Sequence, residues 1–219
     1  MHIRLGIIGP QDSLDFLKDV CKEYPGDFEL VEKPYVHYEE LKELDNIVKD
    51  VDVLLFSGQA PYYWTKSHLE LDVPSVYIPR NGTCLYKVLF DIYRDGINVS
   101  DLSFDTLNPR DIEETYRELN LPLRKIRAID YDKYLPYDEL IDYHYQHWKK
   151  GKTKAAVTCL AEPYEQLKRL GVPAYRIYPT RSIVRQKLEK AFLYGESIRL
   201  KETQMALILI RAEGIDEIL

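Results

Sequence analysis

Several features that would assign a chain of 219 residues to a well-known functional class are missing from this sequence. Its three cysteines, Cys21, Cys84 and Cys159, are widely spaced and form no CxxC pair, which favours a reducing cytoplasm over a disulfide framework. No cationic, apolar and small-residue leader opens the chain, so secretion is not expected. No apolar run approaches the roughly 20 residues of a membrane span. The sequence therefore predicts a soluble cytoplasmic protein.

Signatures of nucleotide, metal and nucleic-acid binding are absent as well. No GxGxxG follows a strand-like run, and no GxxxxGK(S/T) loop occurs. His144 and His147 lie three residues apart on a helical pattern, but no carboxylate or cysteine is spaced to complete a metal site. We predict surface histidines on an aromatic helix face. A formal net charge of −6 argues against nucleic-acid binding by this chain. No cofactor and no metal are expected.

Tyrosine stands out among the residue types that are present. The chain has 18 tyrosines against 6 phenylalanines, so much of its aromatic surface carries a polar tip. Such side chains suit the walls of clefts and interfaces. Hydrophobic residues make up 45% of the chain, which is enough for a substantial core.

Short apolar runs alternate with helical patterns from end to end, which is typical of βα units around parallel sheets. Pro34 indicates an edge strand, because proline cannot donate a hydrogen bond to a neighbouring strand. Strands are predicted over residues 2–9, 28–36, 51–58, 73–80, 100–108, 123–134, 153–161 and 172–180. Helices are predicted from residue 11 to the Pro25-Gly26 break and over residues 38–50, 61–71, 82–96, 109–120, 136–151, 163–171 and 182–211.

Two halves of the sequence follow the same order of segments. VDVLLFSG, a helix and VPSVYIPRNGT in the first half parallel KAAVTCLA, a helix and VPAYRIYPTRS in the second. This order predicts an α/β fold with two doubly wound parallel-sheet lobes, flavodoxin-like or periplasmic-binding-protein-like, with a ligand cleft between them. The predicted lobes are 1–97 and 98–181. Residues 182–219 are expected to form a long C-terminal helix that packs back or leads to an output domain outside this chain.

Small and polar residues follow the predicted strands at their carboxyl ends, where ligands bind in parallel sheets. Helix N-termini favour anions and arginine matches carboxylate or phosphate, so we expect a small carboxylated or phosphorylated metabolite. For each residue taken singly, helix capping is the alternative role. The predicted ligand-binding residues are Gln11, Asp12, Ser13, Ser57, Gly58, Gln59, Arg80, Asn81, Thr83, Thr158, Thr180 and Arg181.

Cys84 and Cys159 suggest an alternative, catalytic function. Each follows a predicted strand, and we expect one in each lobe. The segment VTCLAEPYEQLKRLGVP (157–173) resembles the second-lobe cysteine segment of aspartate/glutamate racemases, which use one cysteine from each lobe as an acid–base pair. This sequence has Ser57-Gly58 where that family carries its first cysteine. The alternative is therefore a racemase-like enzyme on a similar two-lobed scaffold.

A second resemblance covers about residues 3–200. VDVLLFSGQ and VPSVYIPRNGTCLYKVLFD follow a plan of strand, helix, strand and regulatory helix, and the segment from Lys154 to Phe192 follows a matching plan in the second half. Both are similar to the N-terminal sensory domain of propionate-catabolism-type bacterial transcriptional regulators. The resemblance implies a non-catalytic, cytoplasmic domain that senses a small-molecule effector in transcriptional regulation and signal transduction.

The same resemblance implies the partners. DNA would be contacted only through a domain that is absent from this chain, no membrane is involved, and the C-terminal helix could form a homodimer. The apolar segment MALILI (205–210) on that helix is expected to dock on a lobe, dimerise or continue into the output domain.

Overall fold

The computed structural model of the chain describes residues 2–80, 82–122, 126–129 and 135–213, except for the side chains of residues 45 and 201–213. Within these residues the strands are β1 (Ile3–Gly9), β2 (Phe28–Pro34), β3 (Val53–Phe56), β4 (Ser75–Tyr77), β5 (Leu102–Phe104), β6 (Arg127–Ala128), β7 (Ala155–Thr158) and β8 (Ala174–Arg176). The helices are α1 (Gln11–Cys21), a 3-10 helix (Tyr38–Leu44), α2 (Asp45–Val48), α3 (Gln59–His68), α4 (Gly82–Arg94), α5 (Pro109–Glu118), α6 (Tyr137–Lys149), α7 (Ala161–Arg169) and α8 (Arg181–Glu213).

The strands form two parallel sheets of four, so the predicted α/β class is confirmed. The first sheet has the order β2-β1-β3-β4 and the second has the order β6-β5-β7-β8. In each sheet the second strand in sequence pairs on one side of the first strand, and the third and fourth strands are added on its other side. This reversal of direction is the mark of a doubly wound topology. β2, which ends in Pro34, is an edge strand as predicted.

The central strands are buried because their sequences are continuous apolar runs. All four residues of β3 and all four of β7 are fully shielded from solvent. Strands that are covered on both faces carry such runs, whereas a sheet with one wet face alternates. The buried strands therefore form the centre of each sheet.

The segment 38–50 differs from the single amphipathic α-helix that we predict for it. Residues Tyr38–Leu44 form a 3-10 helix, and only Asp45–Val48 continue as α-helix. Tyr38, Leu41 and Leu44 are all buried and lie three residues apart. A helix with three residues per turn places them on one face, so burial of this triplet favours the tighter winding.

The chain divides into two compact units, and their boundaries differ from the predicted lobes. The first unit contains Met1–Ile78 together with the residues from Arg181 onward, and the second is the single segment Pro79–Thr180. Helix α4, which we assign to the first lobe from its place in the sequence, belongs to the second unit, where it packs on α5 and β8. The apolar face of α4, which includes Leu85, Val88 and Ile92, is buried.

Helix α8 belongs to the first unit and packs on β1, β3, β4 and α1. Val184, Leu188 and Ala191 face this surface without exposure. Further along, the Arg199 guanidinium binds both carboxylate oxygens of Asp52, at 3.2 and 2.9 Å. The segment 205–210 is helical, but its side chains lie outside the described residues. None of the helices searched in the described residues is both long enough and apolar enough to cross a membrane.

Candidate functional site

The carboxyl ends of β1 and β3 form the switch point of the first sheet, where the winding direction reverses. Ser57 directly follows β3, is buried, and donates its N–H to the Ile8 carbonyl at 2.7 Å. Gly9 ends β1 beside it, and a Cβ at position 9 would lie 2.5 Å from the Ser57 Oγ. Glycine at position 9 is therefore what lets the Ser57 turn lie against β1.

Helix α3 begins at this switch point with chemistry that attracts anions. Its N-cap is Gly58, no side chain caps its first N–H groups, and its first turn carries no acid. A Cβ at position 58 would have only the Pro61 Cδ as a neighbour, at 3.9 Å, and the backbone there is extended (φ −164°). Gly58 thus leaves open space in front of the positive end of the helix dipole.

Helix α1, at the end of β1, is a poorer anion site although it also lacks a side-chain cap. Asp12 lies in its first turn, where a carboxylate already neutralises the dipole. The Gln11 amide donates to Asp15 Oδ1 at 3.1 Å, and Ser13 is buried. Of the residues predicted in the first unit, the structure therefore brings together Ser57, Gly58 and Gln59 as the stronger candidate site.

Aromatic rings lie close to the start of α3. Tyr62 packs on Phe56 (ring centroids 5.6 Å apart) and on Tyr77 (4.8 Å), so it belongs mainly to the core of the unit. Tyr63 is 52% exposed and lies 5.8 Å from Tyr77. Burial, and then the hydrogen bond with Tyr63, raise the pKa of Tyr77. Tyr63 is the ring of this group that offers surface to a ligand.

The second unit gathers Arg80, Cys84 and Cys159 at the end of β7. Burial raises the pKa of Cys159 to about 12, while the nearby charge of Arg80 and a hydrogen bond with Thr106 act against this rise. Asp105 and Cys84 add to it. The Nε and Nη1 atoms of Arg80 are shielded from solvent, and its positive charge lies close enough to act on the Cys159 thiol. The first turn of α4, which follows Arg80, carries no acid.

The two cysteines do not have the arrangement that the racemase-like alternative requires. We expect one in each lobe, but the structure places both in the second unit, so that prediction is wrong. Cys84 is buried and Cys159 is partly buried, and burial raises the pKa of the Cys159 thiol above its ordinary value. A catalytic base needs a pKa near the working pH.

Thr158 and Arg181 are engaged within their own units. Thr158 is fully buried, and its hydroxyl accepts from the Leu160 N–H at 3.1 Å. The Arg181 guanidinium donates to Asp19 at 2.8 Å and to Glu23, both on α1. A ligand role for either side chain stays a prediction, since each already has a structural partner.

The other predicted residues are less informative. Thr83 is exposed and Thr180 half-buried, and both take part in interactions within the chain. Asn81 lies outside the described residues. No group of three or more histidine, cysteine, aspartate or glutamate side chains that could hold a metal ion occurs among the residues searched in the described part of the chain.

A buried polar network in the second unit was missed by the sequence reasoning. His144, which we predict on the surface, is fully buried, so that prediction is wrong. Its Nδ1 lies 2.7 Å from Ser103 Oγ and its Nε2 lies 3.2 Å from Asp105 Oδ2. Ser103 and Asp105 are also fully buried. The signal in the sequence is their alternate spacing in SDLSFDTLN, where polar residues interrupt a buried strand.

The residue types of this network match a hydrolytic triad, but its setting does not. Ser103 lies within β5 and has no exposed surface, so a substrate cannot reach its Oγ. A nucleophilic serine must face a substrate site. The network therefore lacks the substrate access that a hydrolytic triad needs.

Comparisons with known proteins find similar folds but no similar sequence. No protein-family model and no curated protein sequence matches the chain. A crystal structure of an NtrC family transcriptional regulator from Clostridium acetobutylicum matches with a TM-score of 0.66 and 16% identity, over 90% of this chain and 98% of that one. This likeness shows a shared fold.

Two further structures match with lower scores. A lac repressor dimer bound to operator and the anti-inducer ONPF has a TM-score of 0.42 and 6% identity, over 90% of this chain and 88% of that one. An aspartate racemase homologue from Pyrococcus horikoshii OT3 has a TM-score of 0.34 and 14% identity, over 86% of this chain and 98% of that one. Scores this low carry no argument for either function.

Proposed function

We propose that this chain is the ligand-sensing domain of a cytoplasmic transcriptional regulator of the propionate-catabolism type, and that it binds a small anionic metabolite at the carboxyl edges of its sheets. The fold shared with an NtrC family regulator supports a regulatory domain. The predicted position of the metabolite, between two lobes, stays a prediction.

The main observation in favour of an anionic ligand is the chemistry at the start of α3. Among the helices that follow the central strands, α1 and α7 have an acid in the first turn, whereas α3 has none and also lacks a cap. Its first N–H groups and dipole therefore favour an anion. In the second unit, Arg80 precedes α4, whose first turn also carries no acid, and arginine matches carboxylate or phosphate.

Contacts beyond the ligand are part of the proposal. DNA would be bound by a domain outside this chain, because the net charge of −6 opposes direct binding. Dimerisation would use α8, where Leu193 and Leu200 lie seven residues apart and are 64% and 57% exposed. Both are on the described part of the helix, two turns from one another.

The test is a thermal-shift screen of the chain with mono-, di- and tricarboxylates and inorganic phosphate. An anion at about 100 times its Kd should stabilise the fold by about 2.7 kcal/mol. For a chain of this size that corresponds to a rise in Tm of roughly 5–10 °C.

A charge substitution then locates the site. Gln59→Glu places a carboxylate in the first turn of α3, which should leave stability unchanged or slightly higher and abolish the Tm shift. Gln11→Glu makes the same change at α1 and should keep the shift. The proposal fails if none of these anions raises Tm, or if Gln59→Glu leaves the shift intact.

A further inference from the structure

A continuous polar chain crosses the interior of the second unit. It runs from Ser103 to His144 (2.7 Å), from His144 to Asp105 (3.2 Å), and from Asp105 to the Thr106 hydroxyl, which donates to Asp105 Oδ1 at 2.8 Å. The Thr106 Oγ1 in turn accepts from the Cys159 N–H at 3.3 Å. The chain thus connects α6, through β5, to the turn that follows β7.

Thr106 has an uncommon backbone conformation at the end of this chain. Its φ is +53°, in the left-handed region that β-branched residues rarely adopt. Such a conformation persists only where the surroundings hold it. The Thr106 hydroxyl donates to Asp105 and accepts from the Cys159 N–H, so it has contacts on both sides of this residue.

We propose that Ser103, His144 and Asp105 are positioning residues that hold the Thr106 hydroxyl, and through it the turn after β7, in the conformation that a ligand meets at the carboxyl edge of the second sheet. The turn lies where β5 and β7 meet, at the switch point of that sheet. The role toward a ligand rests on the function proposed above, whereas the positioning itself does not.

Amide hydrogen exchange at Cys159, measured by NMR in the full chain, reports this role without any ligand. Thr106→Val keeps the side-chain shape and removes the hydroxyl, so exchange at Cys159 should become about tenfold faster or more. The amide of Ala156, which donates to the Pro173 carbonyl at 2.9 Å, is the internal reference. Ala156 lies in the central strand β7 and reports global unfolding, so a rise in the Cys159 rate relative to the Ala156 rate reports a local change at the turn.

Two further variants serve as rescue and matched control. Thr106→Ser restores the hydroxyl and should return the ratio to that of the unaltered chain. Thr153→Val removes a buried threonine hydroxyl in the same unit that has no hydrogen-bond partner among the described residues, and the ratio should not change.

Ser103→Ala distinguishes a relay from a single local bond. Ser103 contacts His144 and, more weakly, the Ala155 carbonyl of β7 at 3.5 Å, but not the turn, so its removal should raise the ratio by roughly twofold through the intervening groups. The Ser103→Ala substitution is a small change, so it can still test the proposal if Thr106→Val does not fold. An unchanged ratio in Ser103→Ala would overturn the relay, and equal ratios in Thr106→Val and Thr153→Val would overturn the role of the hydroxyl.

The outcome is separable from that of the proposed function. If the ratios change as expected but neither carboxylates nor phosphate raise Tm, the positioning stands and the proposed function falls. If an anion raises Tm but the ratios do not change, the proposed function stands and the positioning role is wrong.

Discussion

At the scale of single residues, packing requires one of the two glycines at the first switch point, Gly9, but does not require the other, Gly58. Gly9 is required by packing, because a Cβ at that position would lie 2.5 Å from the Ser57 Oγ and 2.6 Å from its Cβ. Gly58 has open space and an extended backbone that any residue adopts. A glycine that neither packing nor conformation requires is available for the close approach of a ligand.

This difference gives a matched pair of variants. Gly9→Ala should lower the free energy of unfolding of the first unit by about 1–3 kcal/mol, because the Ser57 turn must move. Gly58→Ala should change it by less than about 1 kcal/mol, because alanine reduces the freedom of the unfolded chain but is a poorer N-cap than glycine. Urea unfolding measures both. In a Trp148→Phe background, Trp64 is the remaining tryptophan and reports on the first unit alone.

Ligand binding adds a second readout to the same pair. If an anion approaches the start of α3 closely, Gly58→Ala should weaken its Tm shift although the fold is intact. A Gly58→Ala variant that is as unstable as Gly9→Ala would contradict this account of the site.

The candidate site could be predicted only in part from single residues. Ser57, Gly58 and Gln59 were found because small polar residues directly follow an apolar run. His144 and Asp105 were not, because they are 39 positions apart in sequence and become partners only when α6 covers β5. A histidine in an aromatic helix gives no local sign of a carboxylate that the fold brings to it.

At the scale of elements, strands such as β1 and β3 were predictable because each is a short apolar run ended by proline, glycine or a polar corner, whereas the strand predicted over 123–134 lies largely outside the described residues. The assignment of α4 was not, because its apolar face is compatible with either sheet. Its packing on α5 and β8 is decided by contacts with residues that come later in the chain. Local pattern therefore predicts which elements form, and long-range contacts decide which unit they join.

Asp52 joins α8 to the first unit through Arg199, and it also accepts a backbone hydrogen bond from that unit. This side chain is only 16% exposed and accepts from the Arg4 N–H at 2.7 Å as well as from Arg199. Asp52→Ala should cost about 1–3 kcal/mol, because it leaves the Arg4 N–H without this acceptor. Arg199→Ala removes a partly exposed ion pair and should cost less than about 1 kcal/mol.

Urea unfolding followed by Trp64 fluorescence also measures this pair. Lys87→Ala, which breaks an exposed ion pair with Asp91 on α4 in the second unit, is the control and should leave the Trp64 transition unchanged. Equal losses for Asp52→Ala and Arg199→Ala would show that the backbone contact contributes nothing.

At the scale of the whole molecule, the units differ in how the chain builds them. The second is one continuous segment that contains its complete sheet, α4 to α7 and a core around Ala156, Leu167 and Val172. The first needs two separate segments, because α8 returns from the far end of the sequence to cover β1, β3 and β4. The boundary near residue 97 that the sequence suggests would therefore cut through the second unit and leave the first without α8.

Expression of fragments tests this division. Fragment 79–180 should unfold cooperatively in urea, with Trp148 as its probe. Fragment 1–97 should not, because the surface that buries Val184 and Leu188 would face water, at a cost of about 1.5–3 kcal/mol for each large side chain. Losses of this size compare with the whole stability of a small domain.

A third fragment separates the absence of α8 from the absence of the second unit. Residues 1–78 joined to 181–213 by a Gly/Ser linker should recover a cooperative Trp64 transition, because this chain contains every element of the first unit. Cooperative unfolding of 1–97 would show instead that β1 to β4 form a stable layer without α8. The helix would then be a separable attachment to that layer.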